Sequence, residues 1–189
     1  MAFQTVADER FANNQRNWPS NPESTAWIAD GVYHLAVRDP GRFVSVGAAG
    51  LGAFGDVEVV GRFRKVGGPP GGGYGIIVRD QGPAPRDGSN QLGRYYVLEV
   101  GDKGEVGIWR RDVDHWVDLL AWRHADAVRP GTATNDLVVS AIGPRLTMSV
   151  NGTQVATVTD RTLTTGRIGL LVGGDGNQIA VDHLTIRTP

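Results

Sequence analysis

Apolar and polar residues alternate with a period of two along much of this chain, and this pattern restricts its fold more than any other feature. In the stretch 56–64, the apolar residues Val57, Val59 and Phe63 alternate with acidic and basic residues. Two later segments repeat the pattern, 137–141 and 145–150. Alternation of this kind predicts strands with one buried face and one solvated face.

Turn signals separate these strands at short intervals. Further strands are predicted at about 26–29, 31–37, 42–46, 73–80, 94–100, 104–111, 115–122, 167–173 and 178–187. Asn151-Gly152 predicts a tight hairpin because both positions tolerate a positive φ. A change of phase near the C-terminus predicts a β-bulge at Asp182-His183. About a dozen short strands predict an all-β fold, a two-sheet antiparallel jelly-roll sandwich, with residues 1–189 as a single domain.

Composition limits the classes of partner. The 189 residues carry 19 basic and 20 acidic side chains, so neither nucleic acid nor an anionic membrane is expected as the main partner. No apolar run is long enough to span a membrane, and residues 1–10 lack the apolar core of a signal peptide. We therefore expect either a cytoplasmic protein or a module of a longer, secreted or surface-exposed chain. Cysteine is absent, which leaves the compartment open.

The order of several motifs resembles a bacterial family of concanavalin A-like lectin and glucanase domains. These domains are labelled laminin G-like, or are related to family 16 glycosidases and to a domain of unknown function in sugar hydrolases. The motifs that carry the resemblance are 11–18, 30–35, 73–79, 94–100, 106–110, 116–122, 129–131, 135–137, 150–152 and 181–186. The resemblance implies a jelly roll with a concave face suited to saccharide, used as an accessory module, without a fixed activity.

Catalytic motifs are not recognised in the sequence. A retaining glycosidase of family 16 needs alternating acids on one strand, whereas Glu99, Asp102 and Glu105 straddle the turn 101–104. We therefore interpret them as turn and strand-end acids and expect no enzyme activity. The segment Gly50 to Gly55 fits a dinucleotide-binding pattern, but a strand rather than the required helix is predicted to follow it.

Tryptophans provide the best candidate for a ligand site. Trp109 and Trp116 flank the predicted turn 111–114, so a simple hairpin would pair them, and Trp122 shares a strand face with Trp116. Flat rings with polar neighbours suit stacking on pyranose rings. The predicted ligand-binding residues are Arg79, Tyr95, Trp109, Arg111, Trp116, Asp118 and Trp122. The alternative is that these tryptophans fill the core.

A structural calcium ion is a further hypothesis. Sandwich domains often tie the first strand to the last through a cation bound by oxygen ligands. Asp8, Glu9 and Asp182 are the acids that would supply such a site here. No other cofactor is expected.

The sequence therefore predicts a non-catalytic carbohydrate-binding accessory module, with a saccharide or polysaccharide as its partner. One alternative is a protein-interaction or assembly module that docks a protein partner. A glycosidase is the third hypothesis.

Overall fold

The computed structural model describes residues 2–83, 88 and 91–189, and within these ranges the regular elements are strands, with no helix. No helix there could therefore cross a membrane. The strands are β1 Gln4–Glu9, β2 Ala26–Ala29, β3 Val32–Ala36, β4 Phe43–Gly47, β5 Val57–Gly67, β6 Gly73–Asp80, β7 Gly93–Gly101, β8 Glu105–Val113, β9 His115–His124, β10 Asn135–Ile142, β11 Arg145–Val150, β12 Thr153–Thr159, β13 Arg167–Gly173 and β14 Gln178–Thr188.

These strands form two antiparallel sheets that pack as a jelly-roll sandwich. The eight-stranded sheet has the order β12-β11-β10-β5-β14-β3-β2, and β1 also pairs with β14. The six-stranded sheet has the order β4-β13-β6-β7-β8-β9. Among the described residues, strand β9 is therefore an edge strand, with β8 as its one hydrogen-bonded neighbour. The fold class predicted from alternation is confirmed.

The core lies between the sheets and takes alternate residues from each strand. On β5 the inward set is Val57, Val59 and Phe63, as the alternation predicts. On β7 the inward residues Tyr96, Leu98 and Val100 are fully buried. The residues between them on β7 must then face outward, away from the eight-stranded sheet. This alternation determines which side chains are available to a ligand.

Local signals in the sequence placed two irregular features correctly. Asn151 and Gly152 have φ values of 51° and 85° and join β11 to β12. The pairing of β14 with β5 slips between Val181 and His183, which confirms the predicted bulge. Strand β1 was not predicted, because only two of its six side chains are buried and its alternation is weak.

The segment between β1 and β2 closes one part of the core. Phe11 stacks on Tyr33 with ring centroids 5.2 Å apart, and Trp18 lies 5.3 Å from the same tyrosine. The indole Nε1 of Trp18 donates a hydrogen bond of 3.1 Å to Glu9. A buried indole needs such an acceptor. Trp18 is therefore a core residue, unlike the tryptophans of β8 and β9.

A buried ion pair anchors the loop between β5 and β6. The Nζ of Lys65 lies 2.5 Å from the carboxylate of Asp102, and both side chains are at most 5% exposed. Asp102 also accepts hydrogen bonds from the backbone amides of Gly71 and Gly72. Burial alone would raise the pKa of Asp102, but these hydrogen bonds hold it below its usual value. The pair thus fixes the position of Gly71 beside the outer face of β6.

Asp102→Asn should destabilise the fold by about 3–5 kcal/mol, because the Lys65 ammonium would stay buried without its carboxylate. Urea unfolding followed by tryptophan fluorescence measures this loss. Asp126→Asn is the matched control, since the Asp126 side chain is 99% exposed and should change the midpoint little. Equal midpoints for both variants would contradict the anchoring role.

Candidate functional site

The outer face of the six-stranded sheet carries an apolar layer that is separate from the main core. Its buried members are Ile77, Tyr95, Val97 and Leu171, and Phe43 and Trp109 pack against them. A solvent-facing sheet surface of this kind would ordinarily be polar. The apolar character of this face makes it a candidate surface for binding a ligand or a protein partner.

A groove of about 420 Å³ lies over this face. Four aromatic side chains line it, together with two carboxylic acids, a leucine and several glycines. The aromatic and acidic members are Phe43, Trp109, Trp116, Trp122, Glu99 and Asp118. The remaining lining residues are Gly71, Gly73, Leu171, Gly173 and Gly174.

Glycines on the sheet give the indole rings their positions. A Cβ at Gly107 would lie 2.0 Å from the ring of Trp109, so that ring occupies the space above the glycine. A Cβ at Gly73 would lie 3.1 Å from the ring of Trp122, and one at Gly101 3.3 Å from it. The two indoles meet with centroids 4.6 Å apart and planes inclined by 60°. A side chain at any of these glycines would displace a ring.

Trp116 forms the opposite end of the groove. Its ring lies edge-on to Phe43 at 5.2 Å and to Tyr95 at 5.9 Å. The guanidinium of Arg111 lies 4.8 Å from the Trp116 ring centroid and donates a hydrogen bond of 2.8 Å to the carbonyl of Gln91. Arg111 and Tyr95 are both buried and pack against the ring of Trp116. Trp116 itself is 37% exposed.

Glu99 lies on the floor of the groove with no hydrogen bond or ion pair to any residue of the described ranges. Its cross-strand neighbours are Gly75 on β6 and Gly107 on β8, so no side chain faces it from either strand. Its exposed fraction is only 9%. Burial without a compensating charge raises the pKa of Glu99 to about 8. Glu99 thus lies near the end of β7, as the sequence predicts, but it is a buried acid on the floor of the groove.

The pairing predicted for the tryptophans is wrong. Trp116 lies opposite Arg111, and Trp109 lies opposite Asp118. The connection is the two-residue turn Val113-Asp114, and Val113 has a φ of 60° that β-branched residues rarely adopt. Two register shifts between β8 and β9 then bring Trp122 to the groove beside Asp118.

Arg79 does not lie in the groove. A φ of 56° breaks the alternation at the end of β6, so its side chain turns away from the outer face. The guanidinium donates hydrogen bonds to three backbone carbonyls, those of Gly55 at 3.3 Å, Leu163 at 2.9 Å and Gly143 at 2.6 Å. Arg79 therefore joins strand ends and loops at one end of the sandwich.

The acids considered for calcium do not converge in the structure. Their partners differ: His183 for Asp8, Trp18 for Glu9 and Arg64 for Asp182. The hydrogen bond from His183 lowers the pKa of Asp8 to about 2. Across residues 2–83, 88 and 91–189, no group of three His, Asp or Glu side chains could hold a metal ion. A calcium ion here would require these carboxylates to leave their present partners.

Comparison with known proteins shows the fold but not a family. No protein-family model matches the sequence, and no curated protein matches it in a sequence search. The laminin G-like and family 16 labels therefore remain predictions.

Solved structures match the chain at low identity. A Bacillus subtilis protein of unknown function with a galectin-like fold has a TM-score of 0.71 and 12% identity, covering 99% of this chain and 98% of its own. The carbohydrate-binding module CBM66 of Bacillus subtilis has a TM-score of 0.61 and 14% identity, covering 94% and 91%. The kappa-carrageenase of Pseudoalteromonas carrageenovora, solved with an oligotetrasaccharide of kappa-carrageenan, has a TM-score of 0.61 and 9% identity, covering 99% and 95%. Both binding modules and enzymes thus share this fold.

Glu99 should make the stability of the protein depend on pH. Its pKa in the folded chain, about 8, lies above the ordinary value of 4.5, so the folded state keeps a proton that the unfolded state has released. Stability should therefore fall as pH rises from about 5 to about 8, by up to about 1.4 kcal/mol per pH unit. Glu99→Gln carries no titrating proton and should lack this contribution.

Urea unfolding of the wild type and Glu99→Gln over this pH range measures the effect. The midpoint of the variant should rise relative to the wild type as the pH increases. Glu105→Gln, on the adjacent strand β8, is the control and should follow the wild type. Parallel curves for the wild type and Glu99→Gln would show that Glu99 is ionised in the folded protein at neutral pH.

Proposed function

We propose that this domain binds a saccharide in the groove and does not cleave it. The observation that carries the proposal is the combination of exposed indole rings with two carboxyl groups over one sheet face. The apolar faces of Trp116 and Trp122 would stack on pyranose rings, while Glu99 and Asp118 would hydrogen-bond to hydroxyl groups. Trp116 and Trp122 keep 37% and 44% of their surface exposed, which leaves ring area for a ligand.

The size of the groove supports a short oligosaccharide. Its volume of about 420 Å³ falls within the range of small-molecule sites. An open, polar-rimmed site leaves little net binding free energy after desolvation, so we expect micromolar to millimolar dissociation constants. The fold comparisons agree with this proposal, because a carbohydrate-binding module has the same architecture.

The arrangement of acids supports binding rather than hydrolysis. The residues that share the outer face of β7 with Glu99 are Gly93, Tyr95, Val97 and Gly101, so no second acid alternates with it. Asp118 lies two strands away and opposite Trp109, which puts its Cα about 12 Å from that of Glu99 by strand spacing and residue rise. No pair of carboxylates on one strand is therefore available for the retaining mechanism of family 16.

A glycosidase is the second candidate, and the pKa of Glu99 favours it. A carboxylic acid that stays protonated near neutral pH suits a general acid. Glu105 on β8 lies opposite Gly101 and is a diagonal neighbour of Glu99, so it would be the partner acid. Release of reducing ends from a bound polysaccharide, lost in Glu99→Gln, would establish hydrolysis. Binding without such release would support the non-catalytic module.

Trp116→Ala and Trp122→Ala should each weaken saccharide binding at least about tenfold, since each removes a stacking surface worth about 1.4 kcal/mol or more. A glycan array would identify a ligand, and isothermal titration calorimetry would give the affinities. Trp27→Ala is the matched control, because Trp27 stacks on His34 on the other sheet, 5.1 Å between centroids. Its affinity should equal that of the wild type.

Two results would contradict the proposal. If the folded wild type bound no glycan on a broad array, the proposed saccharide binding would be contradicted. Self-association of the purified chain, abolished by Trp116→Ala or Trp122→Ala, would instead favour the assembly module, with the same face as its docking surface.

A further inference from the structure

The ionisable side chains that line the groove are all acids. Glu99 and Asp118 line it, and among the described lining residues there is no lysine, arginine or histidine. The carboxylate of Glu105 lies beside the Trp122 ring above Gly101, which adds a third acid at the edge. A uronic acid or sulfated sugar would meet the carboxylate of Asp118 in this lining and no cation among the lining side chains.

The basic residues nearest to the groove do not neutralise Glu99. Arg111 is covered by Phe43 and Trp116, 5.3 and 4.8 Å from their centroids, and donates to the carbonyl of Gln91. Lys103 is exposed in the turn between β7 and β8, at the rim of the groove. Its Nζ lies 3.8 Å from the position that a Cβ would take at the lining residue Gly71. Lys65 is already paired with Asp102.

None of the other strands packed beside Glu99 places a cation in contact with it within the described residues. The residues of β6 next to it on the outer face are glycines, Gly73 and Gly75, and β13 contributes Leu171 beyond them. The titratable residues on the outer face of β8 are Glu105 and Arg111, and those on β9 are Asp118 and His124, the cross-strand partner of Glu105. The Arg111 guanidinium lies against the rings of Phe43 and Trp116, and His124 Nε2 lies 2.8 Å from Asp126. Glu99 is thus a buried carboxyl group without a counter-charge, which is costly unless the proton stays on or a cation arrives.

Two indole rings stand beside this carboxyl group. The ring of Trp109 lies above Gly107, the cross-strand neighbour of Glu99, and the ring of Trp122 lies above Gly73 and Gly101. The faces of tryptophan rings attract ammonium groups, most strongly where water is excluded. A buried carboxyl group beside two indole rings, reached through an open groove, provides a receptor for an organic cation.

We propose that the groove selects saccharides that carry a protonated amino group, such as 2-amino-2-deoxy sugar units, and seats the ammonium between Glu99 and the two indoles. This inference rests on the proposed saccharide binding and specifies its substrate class. No covalent bond changes: the Glu99 carboxylic acid releases its proton to solvent, and the resulting carboxylate pairs with the ligand ammonium. A uronic acid sugar, which brings a carboxylate and no ammonium to these acids, is disfavoured.

The test is a titration of the wild-type chain with three kinds of oligosaccharide of equal length. One kind is built from glucosamine or galactosamine, one from the corresponding N-acetylated sugars, and one contains uronic acids. The pH is about 6, where a sugar amine is protonated and Glu99, with a pKa of about 8, is neutral. Calorimetry in two buffers of different ionisation enthalpy gives both the affinity and the number of protons released.

We expect an amino-sugar oligomer to bind at least about tenfold more tightly than its acetylated counterpart, with about one proton released. Glu99→Gln should lose the preference and the proton release while still binding the acetylated oligomer. Asp126→Asn, whose side chain is 99% exposed and does not line the groove, should keep both. Tryptophan fluorescence confirms that each variant is folded.

Equal affinity for amino and acetylated oligomers, or the same preference in Glu99→Gln, would overturn the inference while leaving saccharide binding intact. Tighter binding of the uronic acid oligomer would overturn it as well. Failure to bind any of the three kinds, together with a negative glycan array, would overturn the proposed function itself.

Discussion

Alternation along β7 is the constraint on which the groove depends. The core requires Tyr96, Leu98 and Val100, and these three residues fix the orientation of the whole strand. Glu99 is then forced to the outer face two residues before the end of the strand, where only 9% of it is exposed. Turning the strand over to solvate one carboxyl group would expose three large apolar side chains, at a cost several times that of a buried neutral acid. The fold therefore holds the acid in place.

Glycine has a second purpose in this sheet besides forming turns. Gly73, Gly101 and Gly107 have extended backbones and leave shallow depressions in the outer face, and the indoles of Trp109 and Trp122 settle into them. Glycine within a strand costs conformational entropy and forgoes side-chain packing. Here the neighbouring indoles supply the missing packing, so an apolar floor forms without a raised surface that would block a ligand.

Local patterns in the sequence were sufficient to predict the strands and the two-sheet fold, because alternation and turn residues act over a few positions. The hairpin at Asn151-Gly152 and the bulge at Asp182 are of this kind. The site depends instead on register between strands. The two glycines beside Glu99 come from different strands, and a one-residue slip would have placed other residues there.

Two of the wrong predictions have a common physical origin in left-handed backbone. Val113 and Arg79 both have a positive φ, with values of 60° and 56°. Neither residue type signals such a conformation in a sequence. At Val113 it moves the hairpin turn and hence the partner of Trp109, and at Arg79 it turns the guanidinium toward backbone carbonyls instead of the groove.

The location of Trp116, Asp118 and Trp122 on an edge strand has a consequence for how such domains diversify. Strand β9 packs little against the core, with Leu119 and Leu120 as its partly buried contributions, and in the described part of the chain it pairs with β8 alone. Substitutions and changed bulges along this strand can therefore accumulate while the central sheets stay intact. Related domains built on one scaffold could therefore differ in ligand specificity through changes in β9 alone. A shared fold would then not imply that the same sugar is bound.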